Sequence, residues 1–571
     1  MKGYEILLIV GLFFLIFLGK SIYERQKERK QMLYRLKEGY GNLPENDYSA
    51  ERYKSISFYH SHHAGSSHHA GSSNHKADTS VIDDITWNDL DMDTIFMILN
   101  NTCTGIGEEH LYSMLRSPCY ESSVLKERDR IAEYFNTHED ERLKVQTKLL
   151  TLGKLKNIGI YEYMHALRKL ETQNILPNII MCGAMICTII GSIINPNVFL
   201  MTVFLMVAVN MIMYFRYMGK IKSYFQVISY MVRLIDCVQE VSELNITGIQ
   251  SYNENIKKNI KPLLKIRKSA WLFLGGNDAG NDIFAFILDY LKMIFHIDII
   301  NFGRVVKLLN WEWEGFDLIM EDISIIDCSI AIASFRNYVG IYSIPELSKS
   351  YKKSIKIVDA YHPLIENPVY NSLDETKSVL LTGSNASGKS TFLKTIAINA
   401  ILSQTIYTSL SREYKASYFR IYSSMALSDN IMGNESYYIV EIKSLKRIID
   451  GLDGNIPVLC FIDEVLRGTN TIERISASSQ ILAHFGKKNV LCFAATHDIE
   501  LTSMLDDVYA NYHFQEEVKD DDILFDYKLY KGRATSRNAI KLLGIIGFGK
   551  DIIGKANQTG ARFEESGIWT L

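Results

Sequence analysis

The sequence predicts two textures in one chain. The first is a mainly α-helical region with an N-terminal membrane anchor and an inserted transmembrane helical hairpin; the second is a C-terminal α/β domain. Three observations carry this. Long uncharged apolar runs lie near the N-terminus and between residues 179 and 215. From about Asp83 to Tyr342 apolar residues recur at three- and four-residue spacing, as in Leu111, Met114 and Leu115. Beyond Ser343-Ile-Pro345, short β-rich runs alternate with helical ones, the pattern of a sheet flanked by helices.

The chain has 571 residues, too many for one hydrophobic core, so several domains are expected. Charged residues make up 22% and hydrophobic ones 47%, which excludes a largely disordered chain. The net charge of -3 gives no general basic excess, so any nucleic-acid contact must come from a local patch. The eight cysteines are scattered without Cys-x-x-Cys spacing and read as reduced thiols, which favours the cytosol for the bulk of the chain.

Ile6 to Gly19 carries no charge and is followed by Lys20, Arg25, Lys27, Arg29, Lys30, Arg35 and Lys37. With its positive charges after the apolar run, residues 1–35 read as an uncleaved anchor with a cytoplasmic basic flank. The second apolar region runs from Ile179 to Ile194, breaks at Asn195-Pro196-Asn197 and resumes from Val198 to Phe215. Two spans joined by a tight turn give a hairpin over 177–217. Arg168 and Lys169 precede it and Arg216, Lys220 and Lys222 follow it, so both flanks read as cytoplasmic. A buried helical pair inside a soluble domain is the alternative. The expected location is a plasma membrane of bacterial type, with the C-terminal domain in the cytoplasm. Between anchor and helices, residues 36–81 contain the duplication His62-His-Ala-Gly-Ser-Ser67 and His68-His-Ala-Gly-Ser-Ser73, and read as a flexible linker rather than a metal site.

The chemistry sits after residue 350. The apolar run Ser378–Thr382 leads into Gly383-Ser384-Asn385-Ala386-Ser387-Gly388-Lys389-Ser390, and a helix is expected from Thr391 to Leu402. Glycines let backbone N–H groups close around phosphate oxygens, and a helix N-terminus adds a favourable dipole. Residues 383–391 therefore read as an ATP-binding loop in which Lys389 contacts the β- and γ-phosphates and Ser390 holds Mg²⁺. A second buried run, Val458 to Ile462, ends in Asp463 and Glu464. Asp463 is expected to ligate the metal and Glu464 to act as general base on the attacking water. A third, Val490 to Thr496, delivers His497 where it can sense the γ-phosphate. Taken singly, the acids could start a helix and the histidine could be structural.

In this order the three segments resemble the MutS family, a branch of the ABC-type ATPase fold. Asp463-Glu-Val-Leu-Arg467-Gly468-Thr469-Asn470-Thr471 looks like the family's Asp-Glu-x-Gly-Arg-Gly-Thr-Ser-Thr element, and Ala495-Thr-His-Asp looks like its Ala-Thr-His stretch. Ser428-Asp429-Asn430 and Ser436-Tyr-Tyr-Ile-Val-Glu441 resemble the segment that contacts a partner's nucleotide. The resemblance implies a homodimer with a composite site, in which Ser436, Arg467, Gly468 and Thr469 act across the interface. Asn434-Glu435 departs from the family's common Gly-Arg pair. Tyr361-His362-Pro363 is similar to the His-Pro element near the base, which adds His362 to the ATP-binding set. Asp93 to Gly107, with Thr102 and Thr104, looks like the start of the family's helical core. Domains of 82–350 (MutS-core-like) and 351–571 (ATPase) follow. No Phe-x-Glu wedge for mismatched bases occurs in the first hundred residues.

The implied function is ATP hydrolysis by a membrane-anchored, nucleotide-driven dimeric switch with ATP and Mg²⁺ as cofactors and DNA as a candidate partner. Two other classes compete. An ATPase subunit of a transporter would need a Leu-Ser-Gly-Gly-Gln stretch, which the sequence lacks. A non-enzymatic, nucleotide-gated tether would not need Glu464.

Overall fold

The computed structural model describes residues 3–44, 50–63, 81–155, 159–169, 175–274, 283–349, 352–384, 387–425, 437–452, 454–519, 522–534, 540, 543 and 547–567. Two compact units interleave along the chain. One comprises Met1–Ser67, Leu99–Ser113 and Arg130–Tyr338; the other comprises His68–Ile98, Met114–Asp129 and Val339–Leu571. Sequence texture places 82–350 and 351–571 in successive domains; in these units the short segments before residue 130 divide between the two. Their hydrogen bonds explain this: the Ser423 N–H donates to Thr86 Oγ1 at 3.0 Å, and the Ser423 hydroxyl and Met425 N–H donate to Asp89 Oδ2 at 2.6 and 2.9 Å.

The first unit is helical. Its core gathers Phe135, Leu149, Met164, Tyr230, Leu234, Val238, Phe302, Phe316, Ile323 and Ile330. Helix Trp313–Val339 is buried along most of its length, and Asp327 within it is fully enclosed. That carboxylate accepts the N–H groups of Cys103 and Thr104, each at 2.9 Å, and the Thr104 hydroxyl at 2.6 Å. Gly107 is required beside it, since a Cβ there would lie 2.3 Å from Asp327 Oδ2. The Thr-x-x-Gly spacing at 104 and 107 thus records a packing constraint against a helix more than 200 residues away in sequence.

The stretch 36–81, read as linker, is corrected in part. Helix Gly3–Gly39 runs into it, and Ala50–His63 is a second helix. The latter buries Arg52, Ser55, Ile56 and His60 and pairs Arg52 with the buried Glu108. Most of the His-rich duplication lies outside the described residues.

Helices Leu176–Ile194 and Pro196–Glu243 meet at Asn195. The second does not stop near Phe215 but continues into the core, burying Val227, Ile228, Met231, Leu234 and Val241. Around the turn the apolar residues face outward: Ile193, Ile194 and Met201 are 78%, 79% and 81% exposed. Only 11% of the most apolar 18-residue stretch of each helix is buried. The two helices shield one face of each, around Met185 and Asn210, and leave apolar side chains such as Ile180, Ile190, Phe204 and Leu205 exposed on the rest. Where the hairpin joins the unit, the buried residues are polar. His296 lies 2.9 Å from Asn178 Oδ1 and 3.0 Å from the Asn210 carbonyl.

The second unit contains two sheets. Strands β1 (Glu346–Ser348), β2 (Ile355–Ala360), β3 (Asn371–Glu375) and β5 (Glu413–Ser417) form the smaller, in the order β1-β5-β2-β3. The larger uses β4 (Ser378–Thr382), β6 (Arg420–Ser424), β7 (Val458–Asp463), β8 (Val490–Ala495), β9 (Tyr509–Lys519) and β10 (Asp522–Lys531), in the order β10-β9-β4-β8-β7-β6. All neighbours are parallel except the β9–β10 hairpin. Strands β4 and β8 are buried at every position. This accounts for their unbroken apolar character, as in parallel strands covered on both faces.

Candidate nucleotide site

Because β4, β7 and β8 are parallel neighbours, their C-terminal ends open at one edge of the sheet, where ligands bind in folds of this type. The loop after β4 turns on two glycines with φ of 148° at Gly383 and 105° at Gly388. Both conformations disfavour a side chain, and at Gly383 the backbone also leaves no room for one. A Cβ on Gly383 would lie 2.8 Å from the Phe514 carbonyl oxygen, and one on Gly388 would lie 3.2 Å from Tyr527 Cδ1. Helix Lys389–Thr405 starts at Gly388, so its free N–H groups face the loop.

Lys389 Nζ donates to the carbonyls of Gly383 at 3.0 Å and Ser384 at 2.8 Å, and lies 3.4 Å from His497 Nε2. Burial pulls its pKa below the ordinary lysine value, with Asp463, Glu464 and Glu516 acting in the opposite direction. The ammonium is thus held by the loop's own carbonyls, positioned for an anion entering the same loop. The Ser390 hydroxyl donates to Asp463 Oδ2 at 2.5 Å. A hydroxyl and a carboxylate in contact form a hard oxygen pair that fits Mg²⁺, which takes few protein ligands and completes its shell with phosphate and water.

Glu464 lies between His497 and Arg467. Its Oε1 is 3.0 Å from His497 Nε2 and its Oε2 is 2.6 Å from Arg467 Nε. The His497 hydrogen bond, followed by the Arg467 charge, holds its pKa below the usual carboxylate range. Asp498, the next residue, takes a two-point ion pair from Arg474 at 2.6 and 2.9 Å, fixing the turn after β8 to helix Thr471–Lys487.

The structure therefore brings together Gly383, Ser384, Gly388, Lys389, Ser390, Asp463, Glu464, Arg467 and His497. Ser387 is buried in the loop, and its hydroxyl has no partner among the described residues. Thr391 is exposed in the first helical turn. Gly468 packs against Tyr438, and the Thr469 hydroxyl donates to Glu473 Oε2 at 3.0 Å. His362 follows β2 and accepts the Leu364 N–H at 3.3 Å; burial, then the Lys394 charge, pushes its pKa down to about 4. Asn385, Ala386, Ser436, Ser428–Asn430 and Asn434–Glu435 lie outside the described residues.

Sequence reasoning missed the contribution of the β9–β10 hairpin. Glu516 accepts a short hydrogen bond from the Ser384 hydroxyl, and Phe514 and Tyr527 close on the loop glycines. These residues follow the phosphate loop by more than 120 positions and belong to no motif. Only the pairing of β9 with β4 brings them there.

Residues 379–564 match the family profile described as MutS domain V. The chain is similar to the DNA mismatch repair protein MutS of Acetivibrio thermocellus, 26% identical over 255 residues, covering 42% of this chain and 28% of that protein. It is similar to MutS of Christiangramia forsetii, 28% identical over 299 residues, covering 49% and 33%. It is also similar to the DNA mismatch repair protein MSH3 of Meyerozyma guilliermondii, 28% identical over 278 residues, covering 45% and 28%. The matched part amounts to about a third of the length of these relatives.

Proposed function

We propose that this chain is an ATP-hydrolysing, MutS-like membrane protein whose nucleotide site drives a dimeric switch. One observation carries the reading. The Ser390 hydroxyl donates to Asp463 at the end of the glycine-containing loop, while Glu464, the next residue, pairs with His497 instead. In this reading Lys389 exchanges loop carbonyls for β- and γ-phosphate oxygens, and the helix N-terminus adds its dipole. Ser390 and Asp463 would hold Mg²⁺. When bound, the ion neutralises charge on the β- and γ-oxygens. Glu464 orients a water and accepts its proton, and its lowered pKa keeps it ionised at neutral pH. His497 keeps that carboxylate aimed at the γ-phosphate.

The hairpin 177–217 and the anchor 1–35 hold the protein in a plasma membrane, with the ATPase domain in the cytoplasm. The exposed apolar faces of the hairpin support this reading. Ser436 and the 467–469 loop complete a homodimer partner's site, as the likeness to MutS implies. DNA is proposed as the polymer on which the dimer acts, because the relatives are named for DNA mismatch repair. Mismatch recognition is not proposed, since no Phe-x-Glu stretch occurs in the first hundred residues.

Phosphate release by the detergent-solubilised full chain tests the ATPase reading. Lys389→Ala should lower it at least about a hundredfold, as expected for loss of a charge that stabilises the transferring phosphoryl group. Turnover unchanged by that substitution would refute the site. Retention on DNA should weaken steeply with salt if phosphate contacts are made. No retention at low salt, with or without ATP, would remove DNA from the account.

A further inference from the structure

Glu441, on helix Tyr437–Asp450, is 3% exposed, yet its carboxylate accepts hydrogen bonds from a loop backbone. Oε1 takes a short hydrogen bond from the Leu466 N–H and a second, at 3.3 Å, from the Arg467 N–H. Successive N–H groups converge on one anion where the chain passes through left-handed conformations. The loop has two of these: Glu464 and Leu466 both have φ of 57°. Neither is glycine, so this path persists only where the surroundings enforce it.

Other contacts on the same helix enforce it too. Leu466 and Val465 are buried in one cluster with Leu445 and Ile448. Gly468 approaches Tyr438 so closely that a Cβ on it would lie 3.2 Å from Tyr438 Cβ. Glu441 Oε2 is buried without a hydrogen-bond partner among the described residues, so the carboxylate's polar work is done for the loop. Burial raises its pKa, and the Arg467 and Leu466 N–H groups oppose the rise. The Arg467 side chain, meanwhile, goes to Glu464.

We infer that Glu441 is a positioning residue for ATP hydrolysis: by holding the Leu466 and Arg467 N–H groups it keeps the left-handed path that sets the Glu464 carboxylate against His497. The inference rests on the ATPase reading above. It gives Glu441 a role within its own chain, apart from the partner contact that the 436–441 segment's resemblance implies.

The test compares steady-state phosphate release, affinity for a fluorescent ATP analogue and melting temperature in the full-length chain. Glu441→Gln keeps a carbonyl oxygen for both N–H groups, so its kcat should stay within about threefold of wild type. Glu441→Ala leaves both donors without an acceptor. It should lower kcat more than about tenfold while KM and analogue affinity change less than about twofold, the mark of a group acting on the transition state alone. Equal kcat for the alanine variant and wild type overturns the inference. So does a variant that loses analogue affinity and melting temperature along with kcat and is not rescued by glutamine, since that is a merely structural role. A wild-type chain that binds the analogue but releases no phosphate overturns the ATPase reading itself, and the inference with it.

Discussion

Asp327 and Glu109 in the helical unit and Glu464 in the nucleotide site are carboxylates held in opposite ways. Asp327 is fully enclosed and receives three hydrogen bonds from fixed donors, two of them backbone N–H groups. Glu109, likewise buried, takes the N–H groups of Ile160 and Tyr161 at 2.7 and 3.2 Å. Glu464, in contrast, is paired with two side chains that reach solvent, Arg467 at 60% and His497 at 38% exposure. A carboxylate tied to the backbone fixes a fold, because no rotamer change can release it. One tied to side chains that reach solvent can exchange partners when a phosphate and a water arrive. Partner type, more than depth of burial, separates structural from chemical acids here.

The sharpest way to break this comparison is Asp327→Ala. It strands three buried donors and should cost the helical unit roughly 4 kcal/mol, since each unsatisfied group loses about 1–3 kcal/mol. ATP affinity should stay within about twofold if the acid is structural. Chemical denaturation read alongside nucleotide binding checks both. A smaller effect is expected at His362, whose pKa falls from 6.5 to about 4 in the folded chain. The folded state then disfavours the proton. Its contribution is fully present above pH 6.5 and is lost as pH falls through about 4, the total loss being at most about 3 kcal/mol given its partial exposure. His362→Gln should flatten the stability profile over that window. An unchanged profile would show that His362 is solvated like an ordinary histidine.

Much of the site was legible because its geometry is local. A strand, a glycine-rich turn and a helix start are consecutive in sequence, and two acids at a strand end require only that the strand be buried. The three apolar runs read as strands are β4, β7 and β8, which lie side by side. What could not be read depends on distant pairing. Glu516 and Tyr527 reach the phosphate loop through strands that carry no signature, and Glu441 reaches Leu466 from a helix 25 residues earlier. The 36–81 stretch misled for a related reason: its composition is polar, but Arg52 gains order from Glu108, a residue that composition does not reveal. The second hairpin helix runs past its expected end because its later residues keep a helical apolar stripe and no proline interrupts them.

The central claim is that Glu464 serves the chemistry of ATP rather than the binding of ATP or the stability of the fold. Glu464→Gln in the full-length chain, assayed for ATP binding and for phosphate release under the same conditions, tests it most directly. The account predicts ATP affinity within about threefold of wild type and turnover reduced at least about a hundredfold, as for loss of an interaction made only in the transition state. Turnover at the wild-type rate, or affinity lost in step with turnover, would contradict it.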